Sequence, residues 1–300
     1  MVEFQCAVAA RDRAEPIFAT ASQVRRWLLI EVRGAWGRDA VVDSDLARYA
    51  PGGWRRRLQD EQIRVIAVRR DLDRTSQDPL QMFYVDADHG RAWRRTVATL
   101  RRAVDAAAEL PIVGEADPWL PHVHPLVLVC TNGRHDPCCA TFGRPLARVL
   151  REGAQRDDVW ECSHIGGDRF AANIVILPEG LYFGRCDGDS AKRLIADYHD
   201  GAILLDNYRG RSVLGFYDQA AEFFVRRELG VTSITGITAI RRLSDVEGRF
   251  AVDIDDGGES RTVEVHVARS VAAARTPLTC TGPLGQRLPA YRLVSLDAGK

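Results

Sequence analysis

The chain has 300 residues, enough for one to three domains, and its 46% apolar and 27% charged residues are typical of a globular protein. Lysine plus arginine and aspartate plus glutamate balance at 41 each, which argues against the strongly basic face of a dedicated nucleic-acid-binding protein. No secretory signal opens the chain, and no apolar run approaches the ~20 residues of a membrane helix. We therefore expect a cytoplasmic protein whose partners include neither nucleic acid nor a membrane.

The first 115 residues carry the pattern of an α/β unit. Short apolar runs rich in β-forming residues predict strands at 27–32, 63–70 and 82–87. Residues 91–110 then predict a helix, because apolar side chains recur at intervals of three and four from Trp93 onward. The segment that follows has four prolines and little periodicity, which predicts a boundary between two units.

Residues 116–207 repeat this order of elements. The pattern predicts strands at 125–130, 158–163, 173–178 and 180–186, with helices at 143–155 and 189–201. The last two strands are expected to form a hairpin, and Asp189 or Ser190 to cap the second helix. Because both units read in the same order, we interpret them as an internal duplication in which only the second copy kept its thiols. A chance similarity of two α/β units is the alternative.

Residues 208–300 differ in character. An amphipathic helix at 217–230 precedes three short alternating strands, and Asp256-Gly257-Gly258 suits a tight hairpin between two of them. The Pro- and Gly-rich segment at 276–296 is expected to pack on the surface. The fold class predicted for the whole chain is α/β with an α+β tail: two α/β units followed by a β-rich C-terminal region.

Four of the seven cysteines gather between residues 125 and 173, together with His135 and His164. In a reducing compartment, clustered thiols indicate metal ligands or redox groups rather than structural disulfides. Successive side chains diverge, so one of Cys138 and Cys139 is expected to be a ligand and the other a bystander or a resolving thiol. Cys162 and His164 alternate on an extended chain and therefore face the same side. An iron–sulfur cluster and zinc both accept such ligands.

Residues around these ligands suit a thiolate site. Gly166 and Gly167 would let backbone N–H groups approach cluster sulfurs, because no Cβ intervenes. Arginines would offset the negative charge of the thiolates, and Asp136 would orient an imidazole. These arginines are Arg134, Arg144 and Arg169. The remaining cysteines, Cys6, Cys186 and Cys280, are expected to be small core side chains.

Two motifs carry a resemblance to a known family. The first runs Cys-Thr-x-Gly-Arg-x-Asp-x-Cys-Cys at 130–139, and the second Trp-x-Cys-Ser-His-Ile-Gly-Gly-x-Arg-Phe-Ala-x-Asn at 160–173. With them, the segments 15–21 and 27–40 resemble the sucrase/ferredoxin-like family, whose members include thioredoxin-like [2Fe-2S] ferredoxins. The resemblance covers most of the chain.

This resemblance implies a thioredoxin-like ferredoxin unit with a [2Fe-2S] cluster as its cofactor. The family's ligands are two cysteines in the first motif and two histidines spaced H-x-x-x-H in the second. They map here onto Cys130, Cys139 and His164, but the second histidine falls on Asp168. Cys162 is then expected to supply the fourth ligand. Asp168 and Cys138 are the alternates.

The expected function is that of an electron carrier rather than an enzyme, passing single electrons to an unidentified redox partner protein. One alternative is a metal-free thiol–disulfide redox protein that pairs Cys130 with Cys138 or Cys139. Another is a non-catalytic binding module that keeps the fold and carries a vestigial site.

Overall fold

A computed structural model describes residues 4–70, 78–111, 118–153, 155–243, 247–282 and 286–298. Its first half holds four strands and four short helices. The strands are β1 (Arg26–Glu31), β2 (Ile63–Arg69), β3 (Leu80–Asp86) and β4 (Arg91–Val97). The helices are α1 (Cys6–Asp12), α2 (Ala40–Asp43), α3 (Trp54–Asp60) and α4 (Leu100–Ala106).

The second half continues the same sheet. Its strands are β5 (Leu120–Pro121), β6 (Leu126–Cys130), β7 (Val159–Cys162), β8 (Ile174–Leu177), β9 (Leu181–Phe183) and β10 (Tyr208–Arg211). Its helices are α5 (Pro137–Arg151) and α6 (Gly188–His199). The predicted hairpin of β8 and β9 is confirmed. Helix α6 begins earlier than expected, because Asp187 rather than Asp189 or Ser190 caps it, in a reciprocal capping box with Ser190.

One ten-stranded sheet joins the two halves, in the order β10-β9-β8-β6-β7-β2-β1-β3-β4-β5. In each half a parallel pair, β1·β2 or β6·β7, is followed outward by antiparallel strands. The halves meet where β2 pairs antiparallel with β7, with Val68 opposite Cys162. The two halves therefore pair their strands in the same order, as the proposed duplication predicts.

The helix expected over residues 91–110 is wrong in its first part. Residues 91–97 form β4, which pairs antiparallel with β3 and places Trp93 opposite Tyr84. Pairing with an existing strand overrides the helical spacing of the apolar residues. The helix starts only at Leu100, after Thr99, whose hydroxyl accepts a hydrogen bond from the backbone N–H of Arg102.

The C-terminal region confirms the predicted helix and strands. Helix α7 (Phe216–Leu229) precedes an antiparallel sheet of β11 (Ile237–Arg242), β12 (Arg249–Asp256), β13 (Glu259–Thr276) and β14 (Gln286–Asp297). The Gly257-Gly258 turn joins β12 to β13, as expected. The segment expected to pack on the surface lies there as the edge strand β14, which pairs with β13. Residues 277–282, just after β13, include Cys280, which returns to the first turn of α5.

Candidate metal centre

The candidate site lies at the carboxyl ends of the parallel strands β6 and β7. Cys130 ends β6 and lies in register with Cys162, which ends β7. The backbone then turns through a short loop, where Asp136 caps α5 by accepting a hydrogen bond from Cys138 N at 2.9 Å. Pro137 occupies the first helical turn, where its missing N–H costs nothing.

Cys138 and Cys139 lie in the first turn of α5, and their thiols point to different places. Cys139 packs in the same buried cluster as Cys130 and Cys162. Cys138 packs in another cluster, beside Cys6 and Ala171. Because a helix turns about 100° per residue, neighbouring side chains face different directions. The structure therefore brings Cys139, and not Cys138, to Cys130.

His164 completes the first group of candidate ligands. The ligand atoms of Cys130, Cys139 and His164 lie within 4.8 Å of one another. Strand β2 of the first half helps to hold the segment after β7 in place. Arg64 Nη2 donates to the carbonyl of His164 at 2.9 Å, and Ala67 N donates to Ser163 Oγ at 3.1 Å.

His135 and Asp168 lie directly beside this group. The rings of His135 and His164 are stacked, with centroids 3.5 Å apart. Buried Asp168 has one oxygen 3.0 Å from Nδ1 of His164, and it accepts from the Cys139 thiol at 3.1 Å. Its other oxygen lies 3.8 Å from Nε2 of His135. We assigned no role to His135 from the sequence, although it stands in the same loop as the first cysteine motif.

The backbone of the first half contacts His135. Its Nδ1 lies 3.1 Å from the carbonyl oxygen of Arg38. A histidine that donates its Nδ1 proton to a backbone carbonyl keeps the lone pair of Nε2 available as a ligand. A loop of the first half thereby orients a potential ligand in the second half.

Cys162 lies deeper than the other candidates. Its side chain is completely buried, and its thiol neighbours that of Cys130. Among the described residues, however, it belongs to no group of three or more potential ligands within 4.8 Å of one another. The structure thus places Cys162 next to one ligand and away from the histidines.

The thiols and the His164 imidazole change one another's pKa values. The neighbouring thiols of Cys139 and Cys162, helped by His164, hold the pKa of Cys130 well below its usual range despite burial. Burial lowers the pKa of His164, but Asp168 and Cys130 outweigh this effect and raise it to about 9. Conversely, Cys130 and burial raise the pKa of Cys139. Without a metal, the site therefore favours a thiolate on Cys130 beside an imidazolium on His164.

Comparison with known proteins adds one finding. The family model described as Sucrase/ferredoxin-like matches residues 17–210. The chain belongs to this family. Searches of the curated proteins and of the solved structures found no match. The matched region of this sucrase/ferredoxin-like protein contains both halves of the large sheet and every candidate ligand expected from the sequence. It leaves out Cys6 and Cys280.

The two glycines of the second family motif have a packing role. Gly166 and Gly167 have φ values of +99° and +85°, a left-handed region that disfavours other residues. A Cβ on Gly167 would overlap the guanidinium of Arg209. That buried guanidinium donates to the carbonyl of Gly166 at 3.0 Å and to Asn173 Oδ1 at 2.9 Å. Arg209 therefore fixes the loop that follows His164.

The charged residues expected around the site are exposed or have other partners. Arg134 and Arg144 are exposed, and Arg169 pairs with Glu15 at 2.6 Å. Asp136 was expected to orient an imidazole, but its carboxylate caps α5 and contacts Cys6 and the backbone of Cys280. Asp168 contacts the histidines instead, because the loop after β7 turns it toward them.

An open cleft of about 980 Å³ adjoins the histidine side of the site. His135 and His164 line it together with residues of the first half. Its charged lining comprises Arg25, Arg38, Arg55 and Arg64 together with Asp39 and Asp43. Two of these arginines are ion-paired, Arg25 with Asp88 and Arg55 with Asp39. Within the described residues, no helix is both long and apolar enough for a membrane span.

Proposed function

We propose that this protein carries a [2Fe-2S] cluster and transfers single electrons. Cys130 and Cys139 would hold one iron, and His164 with His135 the other. The observation that carries the proposal is a pair of overlapping ligand groups at the ends of β6 and β7 in a sucrase/ferredoxin-like chain. Cys130, Cys139 and His164 form one group, and His164 stacks on His135, which with Asp168 forms the other. Two cysteines on one iron and two histidines on the other form a known ligand set for such clusters.

The chemistry of the donors supports a metal. Nδ1 of His164 is buried without a hydrogen-bond partner, although an oxygen of Asp168 lies 3.0 Å away. Asp168 and His164 therefore interact through their charges, without the geometry of a hydrogen bond. A metal ion would take the place of the ring proton and satisfy this buried nitrogen, which is costly without a partner. The depressed pKa of Cys130 also supplies the deprotonated sulfur that a metal needs.

The chain's own residues would define how the centre is used. When bound, the cluster would supply a one-electron redox couple. The thiols are buried, whereas the side chains of His135 and His164 remain 27% and 21% exposed toward the cleft. A redox partner protein would approach from this histidine side, and the arginines of the cleft favour an acidic partner surface. Seven free thiols suit a reducing cytoplasm.

Anaerobic purification tests the proposal. We expect about two irons and two acid-labile sulfides per chain, a red-brown colour and a reversible one-electron titration. Cys130→Ser and Cys139→Ser should each abolish the colour, whereas Cys186→Ser, in the hydrophobic core beside α6, should keep it. A colourless protein without iron after anaerobic reconstitution would refute the cluster. Zinc in place of iron would indicate a redox-inactive centre.

One observation favours a second function. The ligand atoms of Cys130 and His164 lie within 4.8 Å of each other, and the thiol of Cys139 and the imidazole of His164 lower the pKa of Cys130, as in the activated cysteines of thiol chemistry. The disulfide proposed for this function joins Cys130 and Cys139, which share a buried cluster, whereas Cys138 lies in a different one. A reversible disulfide between these two residues in metal-free protein, with no iron bound after reconstitution, would favour the thiol–disulfide function.

A further inference from the structure

A second cluster of thiols lies on the other side of the α5 N-terminus. Cys138 Sγ lies 3.4 Å from Cys280 Sγ, and Cys280 Sγ lies 3.6 Å from Cys6 Sγ. The ligand atoms of these three cysteines and of Asp136 all lie within 4.8 Å of one another. The sequence alone does not reveal this cluster, because Cys6 and Cys280 are 274 residues apart.

Asp136 gives the cluster its charge. Its carboxylate is completely buried and lies 3.7 Å from the sulfur of Cys6. It accepts hydrogen bonds from the backbone of Cys138 at 2.9 Å and of Cys280 at 2.6 Å. Among the residues that the structure describes, its hydrogen-bond partners are backbone N–H groups and the Cys6 thiol rather than a cationic side chain. A buried carboxylate is costly unless a cation accompanies it.

We propose that Cys6, Cys138, Cys280 and Asp136 bind a soft divalent cation, of which Zn²⁺ fits best. A tetrahedral ion with Zn–S bonds of about 2.3 Å separates its sulfurs by roughly 3.8 Å. The observed separations of 3.4 and 3.6 Å are close to this value. Three thiolates and a carboxylate complete four-coordination, and the cation compensates the charge of Asp136.

This site has a structural role that follows from the origin of its ligands. Cys6 comes from α1 and Cys280 from the segment after β13, and both lie outside the family match at 17–210. The cation would fasten these two flanking segments to the first turn of α5. Because Cys139 follows Cys138 in that turn, the site would also hold the helix end that presents a ligand to the proposed cluster.

The proposal is tested by measuring bound zinc in a variant that lacks Cys130 and Cys139, the thiol ligands of the proposed cluster. In Cys130→Ser/Cys139→Ser protein, purified with reductant and Zn²⁺, we expect one zinc per chain after dialysis. Adding Cys280→Ser should lower this to about a tenth or less. Adding Cys186→Ser, in the core of the other face, should leave it unchanged. Because the Cys130→Ser/Cys139→Ser background lacks both thiol ligands of the proposed cluster, the zinc lost on adding Cys280→Ser is independent of whether the native protein binds iron.

A second measurement uses the native chain and guards against misfolded variants. Bound Zn²⁺ should protect Cys6, Cys138 and Cys280 from alkylation, with rates at least about tenfold slower than after chelation. Cys186 provides the internal reference for global unfolding. Unchanged alkylation of the three cysteines, zinc retained by the Cys280→Ser variant, or a Cys138–Cys280 disulfide in freshly isolated protein would each overturn the proposal.

Discussion

The imidazoles of His135 and His164 lie face to face, with centroids 3.5 Å apart and planes 14° from parallel. They come from the two loops that follow the neighbouring parallel strands β6 and β7. Both rings face the basic cleft, and Asp168 lies beneath both of them. His164 therefore links the two thiols of Cys130 and Cys139 to the second imidazole, and both histidines would be available to the proposed cluster.

This pairing predicts which residue supplies the fourth ligand. His135→Ala should lose at least half of the bound iron, since the carboxylate of Asp168 is a harder and less usual ligand for iron. Cys162→Ser should retain the iron, because Cys162 lies away from the histidines. Asp168→Asn should retain it with a shifted potential, since the carboxylate acts through the imidazoles. Iron analysis of the three variants shows which residue is the fourth ligand. Loss of iron in Cys162→Ser alone would indicate that Cys162, and not His135, binds the iron.

Replacement of His164 by cysteine should change the redox properties and keep the cluster. A thiolate adds negative charge, so the midpoint potential should fall by on the order of 100 mV or more. A histidine ligand loses a ring proton more readily when the iron is oxidised, so the native potential should decrease as pH rises. This dependence should flatten in His164→Cys, with the remainder due to His135. An unchanged redox titration would remove His164 from the ligand set.

The sequence predicts the strands of the large sheet well because their apolar runs are short and bounded by turns. The two family motifs also single out Cys130, Cys139 and His164, whose side chains lie together at strand and helix ends. The error at Trp93 has a physical cause: its spacing from Val97 fits a helix, but hydrogen bonding to β3 decides the outcome. The spacing of apolar residues within one segment carries no information about a strand that pairs with it.

Long-range proximity explains the other differences. No spacing rule connects Cys6 with Cys280, so both were expected to be core side chains, and only the return of the chain after β13 brings them together. In the same way, the contact of His135 with the carbonyl of Arg38 joins the two halves of the sheet. Such residues become recognisable only once the packing of the two halves is known.

Close packing between α5 and β6 predicts a sensitive position at Gly143. A Cβ at this residue would overlap the carbonyl oxygen of Cys130. Gly143→Ala should therefore push α5 away from the strand, destabilise the fold by about 1–3 kcal/mol and lower the iron content. Gly188→Ala is the control, because its Cβ would meet Val149 at an ordinary 3.6 Å. Urea denaturation and iron analysis measure both effects; equal behaviour of the two variants would contradict the packing argument.

The buried ion pairs of Glu222 in α7 should contribute strongly to the stability of the region around this helix. Glu222 Oε1 accepts from Arg211 at 2.9 Å and from Arg226 at 3.1 Å, and Oε2 accepts from the Tyr208 hydroxyl at 2.9 Å. Arg226 is completely buried, so Glu222→Gln leaves its charge without a counterion and should cost about 3–5 kcal/mol. Asp218→Asn, which breaks a pair with the exposed Arg242, should cost less than about 1 kcal/mol. Urea midpoints at neutral pH compare the two, and a loss for Glu222→Gln no larger than that for Asp218→Asn would show that the backbone carbonyls around Arg226 suffice to hold its charge.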